Sequence, residues 1–256
     1  MRIIGVIPAR MASSRFPGKP LARLCGRPML EHVYRGTAAC TLLDEVIVAT
    51  CDGEIVRAAN AFGARAVMTS PRHERATDRV AEATAGDGAE IVVMVQGDEP
   101  LIRPAMIESA LAPLLEDPSV GCVNLVSAIR SEEELRDPNT IKVAIAGNGR
   151  ALYFSRQPIP AIGARPFTAG GWFKQVCVIP FRRDVLQRFP SLPRGPLEAA
   201  ESVDMLRLLE NGIPVRVEET LIETHAVDVP GDLDVVERLL AADPWTAASG
   251  KARQAL

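Results

Sequence analysis

A chain of 256 residues with 47% hydrophobic side chains is long enough to bury a sizeable core, as one large α/β domain or two small ones. Its formal charge of -3 gives no net attraction to nucleic acid or to anionic lipid, so cations that matter to function must act locally. Cys25, Cys40, Cys51, Cys122 and Cys177 are widely spread and form no C-x-x-C pair, which argues against zinc or dithiol chemistry and reads as buried thiols in a reducing cytoplasm. Met1 leads into a strand without a charged leader or a long apolar run, so neither a signal peptide nor a membrane span is expected.

The first predicted strand, Ile3 to Ile7, runs straight into a loop of small residues that carries Arg10, Arg15 and Lys19 before Pro20. Small residues let backbone N–H groups approach an oxyanion, and the three cations add fixed charge on a short tether. That combination predicts a triphosphate cradle. It is neither the Walker loop nor the dinucleotide fingerprint, since G-x-x-x-x-G-K-[ST] and G-x-G-x-x-G are both absent after the strand.

Helices are predicted over Pro28 to Cys40, over Gly53 to Phe62 with Asp52 as cap and a stop at Gly63, over Thr77 to Ala85, and over Pro104 to Leu115. Between them lie the apolar strands Val46 to Ala49, Ala66 to Met68 and Ile91 to Val95, each reading as covered on both faces. This alternation predicts a doubly wound, mostly parallel α/β sheet that binds ligands at the carboxyl ends of its strands. The second half changes character. Ile141 to Ala146 and Ala151 to Phe154 flank Gly147-Asn148-Gly149 as a hairpin, and a Pro- and Gly-rich loop runs from Gln157 to Gly171. A strand over Gln175 to Ile179, a helix over about Leu197 to Glu210, a strand near Val215 to Val217 and a last helix over Asp232 to Ala241 complete an inserted antiparallel section and its closure. Residues 1–242 are expected to form one domain, divided into a nucleotide half (1–130), an inserted section that caps a pocket or makes a subunit interface (131–226) and a closing helix (227–242), with 243–256 as a flexible tail.

Two acidic segments carry the candidate metal chemistry. Asp98 follows a buried strand in Val95-Gln-Gly-Asp-Glu-Pro100, where nucleotide phosphates should lie, and Asp228 follows a strand in Ala226-Val-Asp228-Val-Pro-Gly-Asp232, with Asp232 as helix cap. Mg²⁺ needs only one or two carboxylates when phosphates and water complete its shell. His32, His73 and His225 form no ligand cluster, and no Ser-His-Asp or Cys-His arrangement is evident.

The chain resembles the family of 3-deoxy-manno-octulosonate (Kdo) cytidylyltransferases over about residues 2–242. The resemblance rests on Ile7-Pro-Ala-Arg10 with Arg15-Phe-Pro-Gly-Lys19-Pro-Leu21, Val95-Gln-Gly-Asp98-Glu-Pro100, Ala151-Leu-Tyr-Phe-Ser-Arg156, Pro196-Leu-Glu198 and Val227-Asp228, in order. It implies transfer of CMP from CTP to the anomeric hydroxyl of an eight-carbon sugar acid, with release of pyrophosphate, Mg²⁺ dependence and a homodimer. It assigns Arg10, Ser13, Arg15, Lys19, His73, Thr77 and Gln96 to the nucleotide, and Gln96, Glu99, Arg156, Gln175, Glu201 and Asp204 to the sugar. Lys19, Arg15, Asp98 and Asp228 are the implied catalytic set, Asp98 and Asp228 being the metal ligands. The chain departs from the usual family residues at Arg75-Ala76 beside the base-binding loop, and at Gln175, Cys177, Ile179, Asp204 and Met205 around the sugar. Those departures keep open another acidic acceptor, such as an 8-amino-Kdo, a nonulosonic acid or a phosphonate. An inactive nucleotide-binding subunit is the remaining alternative.

Overall fold

The computed structural model describes residues 1–13, 15–162, 167–168, 170–243 and 245. Its first half follows the predicted alternation: β1 (Ile3–Ala9), the short ribbon β2 (Arg23–Leu24) and β3 (Arg27–Pro28), α1 (Met29–Ala38), β4 (Glu45–Thr50), α2 (Gly53–Ala61), β5 (Arg65–Met68), α3 (Ala76–Ala83), β6 (Ile91–Val95) and α4 (Pro104–Glu116). Then come β7 (Val123–Ala128), α5 (Glu132–Arg136), β8 (Lys142–Ile145), β9 (Ala151–Ser155), β10 (Phe173–Val176), β11 (Val178–Arg182) and α6 (Arg183–Arg188). The chain closes with α7 (Pro196–Glu201), α8 (Met205–Glu210), β12 (Arg216–Glu219) and α9 (Asp232–Ala242).

The first sheet has the order β11-β6-β1-β4-β5, parallel except for the edge strand β11. Every residue of β1 and β6 is buried, as strands covered on both faces require. Leu30 of α1, Ile55 of α2 and Met106 of α4 pack on one face, against Ile7, Val48 and Val93. Val80 of α3 and Leu186 of α6 pack on the other, against Ile4, Ile47 and Met94. The sheet is therefore doubly wound. A second sheet, β12-β7-β10-β8-β9, is antiparallel apart from the β12–β7 pair.

Several expectations need correction. The single strand over Gln175 to Ile179 is two strands in different sheets, because the chain leaves the second sheet after Val176 and joins β6 from Val178. Cys177 is the crossing point, its N–H donating to Glu99 Oε1 at 3.1 Å and its carbonyl accepting from Gln96 N at 3.0 Å. The single helix over Leu197 to Glu210 is broken at Ser202, whose φ of 57° lies in the left-handed region. The break lets Glu201 reach back to β9 while Asp204 turns toward α3. Asp52 does not cap α2 with its side chain; its carboxylate accepts the Met11 N–H at 2.8 Å instead. Asp232 is the first residue of α9 rather than its cap, and Oδ2 accepts from the N–H groups of Asp228 (2.6 Å) and Val229 (2.9 Å).

The hairpin is present, but only Gly149 takes a positive φ in its turn, with Asn148 outside that region. Cys25 is exposed, and Cys51 and Cys177 are half-buried, so uniform burial holds only for Cys40 and Cys122. The β2–β3 ribbon, β7, α5 and α6 are not among the predicted elements, and Pro28 lies in β3 rather than in the helix expected from it. Of the expected tail, Asp243 pairs with Arg103 and Trp245 lies 4.7 Å from the Arg103 guanidinium, ring centroid to Cζ, while Pro244 and residues 246–256 lie outside the described residues. Among the described residues no helix is long and apolar enough to cross a membrane.

Candidate active site

The loop after β1 is folded on itself by Met11, whose carbonyl accepts from Ser13 N at 2.9 Å and Gly18 N at 3.0 Å. Ser13 Oγ accepts from Phe16 N at 3.4 Å, so this hydroxyl supports the turn. Gly18, at φ 76°, swings the chain into a short 3₁₀ turn that starts at Lys19, a conformation that favours glycine. Lys19 Nζ then donates to Asp98 Oδ2 and to the Val227 carbonyl, both at 2.7 Å. Arg15 reaches Asp228 Oδ1 with Nη2 at 2.8 Å and the Asn139 side-chain oxygen with Nη1. Arg10 stands exposed at the end of β1.

Asp98 owes its place to a tight turn after β6. A Cβ on Gly97 would sit 3.1 Å from the Pro8 carbonyl, so this glycine lets the turn lie against the end of β1. Asp228 is brought to the same point by a small apolar cluster in which Val227, Leu101 and Leu24 pack with Val236 and Leu240 of α9. The Val227 N–H donates to the Asp98 carbonyl at 3.0 Å, locking the two segments together. Burial raises the Asp228 carboxyl above its usual range and Asp98 adds to the rise, against the pull of Arg15 and Lys19. Glu99 is 4% exposed, and burial together with Asp98 pushes it up to about 7. Two carboxylates and two cations thus converge, Lys19 resting on Asp98 and Arg15 on Asp228, while Arg10 joins neither predicted metal ligand.

A cleft of about 720 Å³ opens beside this cluster, lined among others by Arg15, Gln96, Asp98, Glu99, Arg156, Gln175, Asp204 and Asp228. Arg10, Ser13, Lys19, His73, Thr77 and Glu201 are not among its lining residues. Glu201 holds Arg156 from behind: its carboxylate accepts from Arg156 N at 2.7 Å and Ser155 Oγ at 2.8 Å, and its carbonyl accepts from Arg156 Nε at 2.8 Å. Asp204 Oδ2 accepts from Thr77 N at 3.0 Å and Thr77 Oγ1 at 2.8 Å, which closes the first turn of α3 with a carboxylate. Burial raises the Asp204 carboxyl despite those bonds. Gln175 Nε2 donates to Asn124 Oδ1 at 2.6 Å. His73 Nε2 meets Glu82, whose Oε2 also accepts from Ser70 N at 2.9 Å, so His73 and Glu82 tie the 70–73 loop to α3. The sequence reading missed Asn139 and Asn124; Asp137-Pro138-Asn139 carried a turn signal, but nothing marked its contact with Arg15.

A family model described as cytidylyltransferase matches residues 4–221. The 3-deoxy-manno-octulosonate cytidylyltransferase of Geobacter metallireducens is 48% identical over 249 residues, covering 93% of this chain and 98% of its own. The chain belongs to the 3-deoxy-manno-octulosonate cytidylyltransferase family. It is an enzyme of the cytidylyltransferase class. A protein of the same description from Solibacter usitatus is 46% identical over 94% of this chain and 95% of its own. A CMP:2-keto-3-deoxy-manno-octonic acid synthetase solved in complex with CTP superposes with a TM-score of 0.86 at 41% identity, covering 94% of this chain and 99% of that one. A 4-diphosphocytidyl-2C-methyl-D-erythritol synthase from Anaerococcus prevotii, 15% identical with a TM-score of 0.62, shares the fold.

Proposed function

We propose that this cytidylyltransferase transfers CMP from CTP to the anomeric hydroxyl of Kdo and releases pyrophosphate, as a cytoplasmic, Mg²⁺-dependent homodimer. The observation that carries the reading is the meeting of Asp98 and Asp228 with Lys19 and Arg15 beside the cleft. In-line attack on the α-phosphorus builds negative charge on the phosphate oxygens and on the leaving pyrophosphate, so cations already in place supply most of the help. Arg10, Arg15 and Lys19 serve the leaving side. Arg156 offers its guanidinium to the sugar carboxylate, held in place by Glu201. Gln96, Glu99 and Gln175 line the acceptor side, while His73 and Thr77 belong to the nucleotide side.

The donor set suits Mg²⁺. Two carboxylates with no group of three or more His, Cys, Asp or Glu among the described residues match an ion that takes its other ligands from phosphate and water. Asp98 and Asp228 would hold it, and the chemistry it supplies there is neutralisation of phosphate charge and a lowered pKa for a bound hydroxyl. Lys19 and Arg15, which balance these carboxylates in the structure, would then turn to the phosphates. No protein base is required.

Lys19→Ala and Arg15→Ala should each raise KM for CTP by about tenfold, the scale of one hydrogen bond to a charged group. Steady-state kinetics with CTP varied at saturating Kdo measure this. Changes confined to KM for the sugar would put the loop on the wrong substrate.

The choice of acceptor is tested at Gln175 and Ile179. Gln175 spends its amide on Asn124, and Ile179 is 1% exposed and offers no hydroxyl. Gln175→His combined with Ile179→Tyr should raise kcat/KM for Kdo relative to 8-amino-Kdo by roughly 5- to 100-fold, the range for regaining one or two polar contacts. An unchanged ratio would show that these positions do not read the sugar.

A further inference from the structure

Lys142 lies in β8 with no exposed surface, yet it carries an ammonium group. Nζ donates to the backbone carbonyls of Asp137, Thr140 and Arg156, each at 2.7 Å, which uses all three of its protons. Burial lowers its pKa to about 8, so the ammonium form prevails at neutral pH; Asp137, Glu201 and Arg156 are the charged groups around it. An apolar side chain would fill this place at lower desolvation cost. What an apolar chain lacks is the ability to gather three carbonyl oxygens that otherwise repel one another.

Two of those carbonyls belong to the 137–140 loop and the third to Arg156 itself. The same loop grips two of the arginines that line the cleft, Arg15 and Arg156. Pro138 O accepts from Arg156 Nη1 at 2.9 Å, and the Asn139 side-chain oxygen accepts from Arg15 Nη1. Asn139 N donates to Asp137 Oδ1 at 2.8 Å, which gives the loop its own turn. Asp137, Asn139 and Thr140 line the cleft alongside Arg15 and Arg156.

We propose that Lys142 is a positioning residue whose ammonium anchors the 137–140 loop, so that one buried cation sets the aim of Arg15 toward the nucleotide and of Arg156 toward the carboxylate of the acceptor. This rests on the roles given to the two arginines above. Lys142 acts through guanidinium orientation, by way of the loop that holds both side chains.

The test compares wild type, Lys142→Met, Asn139→Ala and the double variant. Lys142→Met, nearly isosteric and neutral, should raise KM for both CTP and Kdo by about tenfold while kcat changes little, the pattern of lost ground-state binding. Amide hydrogen exchange across residues 137–141 should speed up in the same variant. Asn139→Ala cuts only the link to Arg15 and should raise KM for CTP alone. In the double variant the two effects on CTP should fall short of their product, because both act through one contact. A Lys142→Met enzyme that merely melts at lower temperature, with both KM values and the loop exchange unchanged, overturns the proposal, as does full multiplicativity in the double variant. If Lys142→Met does not fold, Asn139→Ala decides, and an unchanged KM for CTP in that variant refutes the link. If wild type turns over neither Kdo nor 8-amino-Kdo with CTP, the assigned reaction fails, while the exchange comparison still decides whether Lys142 holds the loop.

Discussion

Asp98→Asn and Asp228→Asn are each expected to lower kcat by at least about 10²-fold, the scale of losing a preorganised electrostatic contact at a reacting phosphate. A carboxamide has nearly the shape of a carboxylate but is a poor ligand for a hard divalent cation. Folding should survive both changes. The segment around Asp98 is held by its backbone carbonyl, which accepts from Val227 N at 3.0 Å, and Asp228 is held by its own N–H on Asp232 Oδ2 at 2.6 Å. Each substitution also strips Lys19 or Arg15 of a counter-charge. KM for CTP should therefore move less than kcat, since the unpaired cation remains free to meet phosphate. Circular dichroism and steady-state rates at saturating Mg²⁺ make the measurement. A variant that keeps wild-type turnover there removes that residue from the metal site, and loss of folded structure would mean the residue is needed for more than its charge.

The largest expected loss of stability comes from Arg207→Met. Arg207 is 3% exposed and donates to Glu198 with Nε at 2.8 Å and Nη2 at 2.7 Å, and to Asp78 with Nη1 at 2.9 Å. Its guanidinium also lies 4.1 Å from the Phe189 ring centroid. Glu198 is wholly buried, and Arg75 and Arg194 approach it only at 3.3 and 3.5 Å. Removing Arg207 leaves that carboxylate short of its best partner, a change that costs about 3–5 kcal/mol in buried pairs and lowers Tm by roughly 6–20 °C in a chain of this size. Replacing both partners, as Glu198→Leu with Arg207→Met, should recover much of the loss, because the expense lies in the stranded charge. Urea unfolding of the two variants separates these outcomes, and a single variant within about 1 kcal/mol of wild type would show the network to be dispensable.

The parallel half of the fold was legible because its signals are local. β1, β4 and β6 read as apolar runs, and the helices between them carry their own boundaries, so Asp98 and the loop of Arg10, Arg15 and Lys19 could be placed at strand ends without any long-range contact. The family motifs named the chemistry for the same reason, being short and contiguous.

The rest depends on partners distant in the chain. Val176, Cys177 and Val178 look like one strand, yet pairing with β7 on one side and β6 on the other splits them between two sheets. Helix propensity favours an unbroken run from Leu197 to Glu210, but the bonds of Glu201 to β9 and of Asp204 to Thr77 outweigh the cost of a left-handed Ser202. Those bonds also give two expected sugar ligands structural work: Glu201 steadies Arg156 and Asp204 closes α3. Asp98 and Asp228 meet only because Val227 packs with Leu101 beneath α9, and Lys142 finds its three carbonyls only when β8, β9 and the 137–140 loop are assembled. Residue types and their local order set what chemistry this chain can do. Which side chains face the substrates, and which hold others in place, is decided by the tertiary packing, since buried charge settles only where distant backbone and side-chain groups together replace the water it has lost.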